Sequence, residues 1–344
     1  VSLLKLLALG VLILAVVLVA AGWLVFVPRL PAPAGPNAVV RSEATIKDTS
    51  GAAFAITVWQ PRDLKASTPL ILYSPGWGGT RTQSQVQVET LASHGFVVVG
   101  CDDFASDPAA DPDRGLSLEL QTDAETAASI ARAGRHAVAQ GSRLLDVLAA
   151  LEAGQVPALA GRLDLTRVGI LGYSIGGTSG LAAAARDRRI VAVFNVDGGL
   201  FGPAADEIVV QAYFLLSSEE AFPSEADLAS SVAFTRNYAM ISALDIPRNK
   251  RRMEQPQSYW AQLPAASHGD LSDGLFARPH RLFARTNFER SAMNGTIERL
   301  EVAFFRNALL GDPGPLKSLI GRNDQTVRWI SPTAPSAGAA NARQ

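Results

Sequence analysis

The chain has 344 residues, with 31 Lys and Arg against 32 Asp and Glu, for a formal charge of −1. No basic block exists to hold a phosphate backbone, which argues against a nucleic-acid partner. Charged residues are 18% and hydrophobic residues 48%, which excludes a solvated disordered chain, and the one cysteine, Cys101, excludes an intrachain disulfide and a cysteine-held zinc site.

Residues 6–27 carry no charge. As a helix this run spans about 33 Å, enough to cross a hydrocarbon core of about 30 Å. Lys5 precedes it, Trp23 sits near its far end and Pro28 stops it. The apolar region of a cleaved signal is shorter, about 7–15 residues, so an uncleaved anchor is expected. The small residues Ala32-Pro33-Ala34 leave secretion after signal cleavage as the alternative. Lys5 on the amino side predicts a cytoplasmic amino end and an exported body, although Arg29 makes the asymmetry thin. No cysteine lies near the segment, so a bacterial lipid anchor there is excluded.

A Pro-rich linker, PRLPAPAGPN, follows. Beyond it, runs 55–59 and 70–73 read as strands, 83–94 as a helix stopped by Gly95, and 96–101 as a buried strand. A polar loop rich in Asp and Pro spans about 102–114, and 119–151 reads as helical, in two pieces. Runs 168–171, 190–196, 209–216 and 259–263 are further strands, the last of them final in the sheet. Residues 181–185 lie in a helix, 223–257 form a mostly helical excursion, and 297–310 form an amphipathic helix. After Gly311 the chain becomes Pro-, Ala- and Gly-rich, and its last dozen or so residues are expected to be disordered. This alternation predicts one mostly parallel sheet with helices on both faces.

Gly172-Tyr173-Ser174-Ile175-Gly176 matches G-x-S-x-G. The match alone is weak, but it follows a buried strand and opens a helix of small residues, the strand-to-helix turn that exposes a nucleophilic hydroxyl. Ser174 is therefore the candidate nucleophile, and it needs a base and an orienting acid, which follow it in chain order, acid first. Of the four histidines only His268 and His280 lie beyond Ser174. His268 is favoured, because it stands in a small-residue loop just past the 259–263 strand, where a base must reach the sheet edge. His94 reads as a cation at a helix end, and His136 as a surface or structural residue. For the acid, Asp197 ends one strand before Gly198-Gly199, and Glu219 and Glu220 end the next; either position can orient a histidine.

The segments Ser74-Pro75-Gly76-Trp77-Gly78-Gly79-Thr80-Arg81, Leu91-Ala92-Ser93-His94-Gly95-Phe96, GYSIGG and Asn195-Val196-Asp197-Gly198-Gly199 together resemble the bacterial platelet-activating factor acetylhydrolase-like esterases. Those are α/β-hydrolases akin to dienelactone hydrolases and cutinase-like enzymes, and the resemblance covers roughly residues 40–310. It implies Asp197 as the acid, giving Ser174, Asp197 and His268 as the triad; cutinase-like relatives would instead point to Glu219 or Glu220. It also implies an oxyanion hole from the backbone N–H groups of Trp77 and Ile175. Pro75 departs from the pattern, since relatives carry a histidine before the glycine of that loop. The large Trp77 side chain is placed to narrow or floor an acyl pocket, or else is an ordinary core aromatic.

The expected organisation is a transmembrane helix over 1–27, a linker over 28–38, an α/β-hydrolase catalytic domain over 39–312 and a partly disordered tail over 313–344. The expected activity is serine carboxylic-ester hydrolysis of short acyl or lipid esters with neither metal nor organic cofactor. The alternatives are an acyltransferase on the same triad and an inactive membrane-tethered binding protein. Residues 101–136 and 223–257, which match no family pattern, are where a lid and substrate specificity are expected.

Overall fold

The computed structural model describes residues 3–106, 117–277, 285–322 and 324–332. It opens with α1 (Leu3–Phe26), almost wholly exposed and long and apolar enough to cross a membrane. Residues 28–38 hold no regular element, yet they dock: Gly35 N donates to Ser93 Oγ at 2.8 Å and Asn37 N to Ser93 O at 3.0 Å.

The body runs β1 (Val39–Lys47), β2 (Ala53–Pro61), β3 (Thr68–Ser74), α2 (Gln85–Ser93), β4 (Val97–Cys101), α3 (Asp123–Glu152), β5 (Leu163–Tyr173), α4 (Ile175–Ala184), β6 (Ile190–Val196) and β7 (Ala212–Ser217). It continues with α5 (Glu225–Leu228), α6 (Ala233–Met253), β8 (Ser258–Gln262), α7 (Gly274–Ala277), α8 (Asn287–Leu310), α9 (Gly314–Ile320) and β9 (Arg328–Ser331). The strands form a single sheet in the order β1-β2-β4-β3-β5-β6-β7-β8-β9. The six from β4 to β8 in that order are parallel, while β1, β2 and β9 pair antiparallel at the two edges.

Helices cover both faces, which is why the central strands read as continuous apolar runs. Along β3, Leu70 and Leu72 join a core with α3 and α4, and Ile71 and Tyr73 join a core with α2 and α8. The second core is tied together by Phe194 and Phe214, stacked at 4.5 Å, with Phe304 set edge-on to both. All parallel strands end on one edge, so the loops after β3, β5, β6, β7 and β8 converge there, as in other open α/β sheets.

Several sequence expectations shift. The helical stretch expected in two pieces is one helix, α3, begun by a capping box between Thr122 and Glu125. The helix expected from 297 starts at Asn287, and the strand expected from 209 starts at Ala212. The 258–262 strand is not the last, because the expected tail contributes α9 and the edge strand β9, so the folded body continues past residue 312. The edge strand β1 has no counterpart in the sequence reading. Parts of the 102–114 loop and the final dozen residues lie outside the described residues.

Candidate active site

The turn from β5 into α4 places Ser174 at φ 55° and ψ −130°, a conformation that L-residues rarely adopt. Crowding dictates the flanking glycines. A Cβ on Gly172 would lie 2.3 Å from the Gly176 backbone, and one on Gly176 would lie 2.3 Å from Ser74 O at the end of β3. The turn is pinned by Ser174 N donating to Val196 O at 2.8 Å and Gly177 N donating to Ser174 O at 2.9 Å. Ser174 thus projects its hydroxyl at the carboxyl edge of the sheet, at the start of a helix whose first N–H groups carry positive partial charge.

His268 opens a short 3₁₀ turn (His268–Leu271) five residues beyond Leu263. Its Nε2 lies 3.1 Å from Ser174 Oγ, and its Nδ1 lies 2.8 Å from Asp197 Oδ2. Tyr173 fixes the ring from one side, stacking at 5.1 Å and donating its hydroxyl proton to His268 O at 3.1 Å. The loop is held by a Ser267–Asp270 capping box, and Arg285 donates to Ala265 O and, at 3.2 Å, to Asp270 Oδ2. Asp197 is itself fixed. Its Oδ1 accepts Ser218 N at 2.8 Å, its own N donates to Leu216 O at 2.7 Å, and its backbone is left-handed at φ 54°. Asn195 closes the turn beneath it by accepting Gly198 N and donating to Gly198 O, both at 2.9 Å.

Among the described residues, Asp197 is the carboxylate hydrogen-bonded to His268. Glu219 and Glu220 stand in a short turn one strand later and line the same cavity, and Glu220 accepts the hydroxyl proton of Tyr238. Burial, then the charges of Asp197 and Glu220, push the Tyr238 hydroxyl up, so it stays protonated. His280 lies outside the described residues. His94 does end α2, but burial and the Arg306 charge push its pKa below the usual imidazole value, so the expected cation is a neutral ring at pH 7. His136 is buried, with Nε2 2.8 Å from Asp103 Oδ2.

A cavity of about 770 Å³ opens over Ser174, Asp197 and His268. Trp77 and Ile175 line it beside the serine. Its far wall comes from the 219–249 excursion, which supplies Phe222, Phe234, Tyr238, Ile241 and Asp245. None of these was singled out from the sequence individually, although Phe234, Tyr238 and Ile241 recur at helical spacing along one face. Burial raises the Asp245 carboxyl to about 7, while its Oδ2 accepts Leu200 N at 2.8 Å. Among the described residues no group of three or more His, Cys, Asp and Glu is placed to hold a metal ion.

A family profile described as PETase, PET hydrolase-like, matches residues 26–198. Among solved structures, the ferulic acid esterase from Streptomyces cinnamoneus superposes with a TM-score of 0.59 at 19% identity. That alignment covers 88% of this chain and 98% of the esterase, which establishes the shared α/β-hydrolase fold. No curated protein sequence matches the chain.

Proposed function

The chain belongs to the PET hydrolase-like family, and on that premise we propose that this carboxylic-ester hydrolase works through Ser174, His268 and Asp197 and a covalent acyl-enzyme. The supporting observation is the unbroken hydrogen-bonded run from Ser174 Oγ through the imidazole to Asp197, 3.1 Å and then 2.8 Å, opening into the cavity.

Ser174 Oγ attacks the ester carbonyl carbon as His268 Nε2 takes its proton. The tetrahedral intermediate collapses, the bond to the alcohol oxygen breaks, and Nε2–H protonates the departing alkoxide. Water then repeats the sequence on the acyl-enzyme, releasing the acid and restoring the serine. Asp197 accepts Nδ1–H throughout, which keeps Nε2 facing the serine and offsets the imidazolium charge. The backbone N–H groups of Trp77 and Ile175 receive the oxyanion; removing one such donor in comparable sites costs about 3–4 kcal/mol.

The aromatic wall of Trp77, Phe222, Phe234 and Tyr238 suits an uncharged ester with an apolar acyl or alcohol part, in keeping with short acyl or lipid esters of the acetylhydrolase type. Residues 1–27 are read as a membrane anchor with the catalytic body outside the cytoplasm, or as a signal removed on export. The test is hydrolysis of p-nitrophenyl esters from acetate to palmitate, with a ferulate ester alongside, by wild type and Ser174→Ala. Wild-type turnover that peaks at short chains and disappears in Ser174→Ala supports the reading. Full activity in Ser174→Ala sinks it.

A further inference from the structure

The Asp103–His136 pair takes no part in the proton relay, yet it is the most deeply buried acid–base pair near the site, 0% and 4% exposed. Such a pair is a poor way to gain stability, because desolvation offsets its attraction. Its hydrogen bonds explain it better. Asp103 Oδ1 accepts Gly78 N at 3.1 Å and Ala105 N at 2.9 Å, Oδ2 accepts His136 Nε2–H at 2.8 Å, and the Asp103 amide donates to Gly79 O at 3.1 Å. Two of those four bonds grip the residues immediately after Trp77.

The other side of Trp77 is held as firmly. Gly76 N donates to Gln83 Oε1 at 2.9 Å, and Gly76 O accepts Gly79 N at 2.8 Å. In a trans peptide the carbonyl and the next N–H point in opposite directions, so fixing Gly76 O fixes the direction of the Trp77 N–H. Five consecutive peptide planes, from Pro75–Gly76 to Gly79–Thr80, are therefore pinned. The Trp77 ring is clamped too: it lies 4.0 Å from the His136 ring, which stacks on Phe104 at 4.5 Å, and the Arg132 guanidinium sits 5.4 Å from the indole. His136 rides on α3, whose Gln140 Oε1 also accepts Phe104 N at 3.2 Å.

We propose that Asp103 and His136 are positioning residues that pre-aim the Trp77 backbone N–H at the oxyanion, with Gln83 as the opposing brace. The inference rests on the reading of Ser174 as nucleophile and Trp77 N–H as an oxyanion donor. Aiming a donor before charge develops strengthens transition-state binding and leaves ground-state binding alone.

The experiment compares wild type, His136→Phe, His136→Gln and Gln83→Met in the full chain. His136→Phe keeps a ring against Trp77 but removes the donor to Asp103, and Gln83→Met releases Gly76 N from a partly exposed position. Each is assayed for kcat and KM on a p-nitrophenyl ester, and for inhibition by an alkyl trifluoromethyl ketone, which forms a tetrahedral adduct on the serine. A methyl alkyl ether of the same length serves as a ground-state competitor. In His136→Phe and Gln83→Met, kcat should fall by about 10- to 100-fold with KM within about two-fold, and ketone affinity should fall in parallel. Ether affinity should hold, and His136→Gln, which keeps an N–H donor, should recover most of the loss. Folded variants with unchanged kcat and ketone affinity overturn the proposal, as does an equal loss of ketone and ether affinity. If His136→Phe does not fold, Gln83→Met decides by the same criteria. Failure of the underlying reading looks different: the ketone then does not inhibit wild type, or Ser174→Ala retains turnover.

Discussion

Ser174 and Asp197 share an unusual backbone property, a positive φ at a residue other than glycine, at 55° and 54°. For Ser174 the strain exposes the hydroxyl; for Asp197 it turns the carboxylate toward His268 while Ser218 N holds its other oxygen. Asparagine tolerates the left-handed region as well as aspartate does. Asp197→Asn should therefore keep the melting temperature within a few degrees while lowering kcat by about 10⁴-fold, because the amide favours the wrong imidazole tautomer. A Glu219→Gln/Glu220→Gln double variant should stay within about three-fold of wild type in the same assay, and a collapse there would move the acid one strand later. Asp245 gives a pH prediction. Its carboxyl is raised from 3.8 to about 7 by burial, so the native state holds a proton that the unfolded chain releases. Its contribution to stability is fully present below 3.8 and is lost as pH rises toward about 7, by up to about 4 kcal/mol. Asp245→Asn should thus melt higher than wild type at pH 8, with the gap closing toward pH 4.

Elements differ in how far local sequence specifies them. β4 and β6 were legible almost to the residue because both faces are covered and every position except Asn195 is apolar or small. β1 escaped because its residues are mostly exposed, and β9 because four residues in a Pro-rich stretch gain their place from Trp329 packing edge-on against Phe214. The expected break in α3 has a physical origin as well. Glycines that look like helix breakers are sites of close approach: a Cβ on Gly134 would lie 2.8 Å from Gly202, and one on Gly141 would lie 2.9 Å from Ser179 O on α4. At the site, the strand–turn–helix context pointed to Ser174; chain order left His268 and His280, and the small-residue loop just past the 259–263 strand favoured His268, so the deciding signals were local. The Asp103–His136 pairing spans 33 residues and leaves no local trace. α2 shows the same non-locality. Its own cap residue, Ser84, makes no side-chain cap bond, and Asp273 from beyond the His268 loop accepts Gln85 N at 2.8 Å and Val86 N at 3.2 Å instead. Asp273→Ala should cost about 1–2 kcal/mol in denaturant unfolding, the loss of a helix cap.

At the scale of the whole molecule, the carboxyl end of the apolar helix meets the catalytic body at the start of α8. Asn287 Nδ2 donates to Leu24 O and to Val27 O, each at 2.8 Å, and Arg290 Nη1 donates to Phe26 O at 3.0 Å. These bonds cap the carbonyl end of α1 with the first turn of α8, while the site is built from other elements. A chain beginning at Pro28 should accordingly hydrolyse a soluble ester within about two-fold of the full chain and lose its partition into the membrane fraction. Equal partition of both forms would remove the anchor reading.

The left-handed backbone at Asp197 also shapes which changes the protein can survive. Most side chains at that position would strain the turn, so most substitutions threaten folding and function together. Asparagine is separated from aspartate by one codon base, fits the same turn, and leaves the cavity and the fold in place while removing the charge beside His268. A one-base mutational route from this enzyme to a folded, ester-binding protein without turnover therefore runs through Asp197→Asn, and a homologue carrying that one change should bind uncharged esters without cleaving them at an appreciable rate.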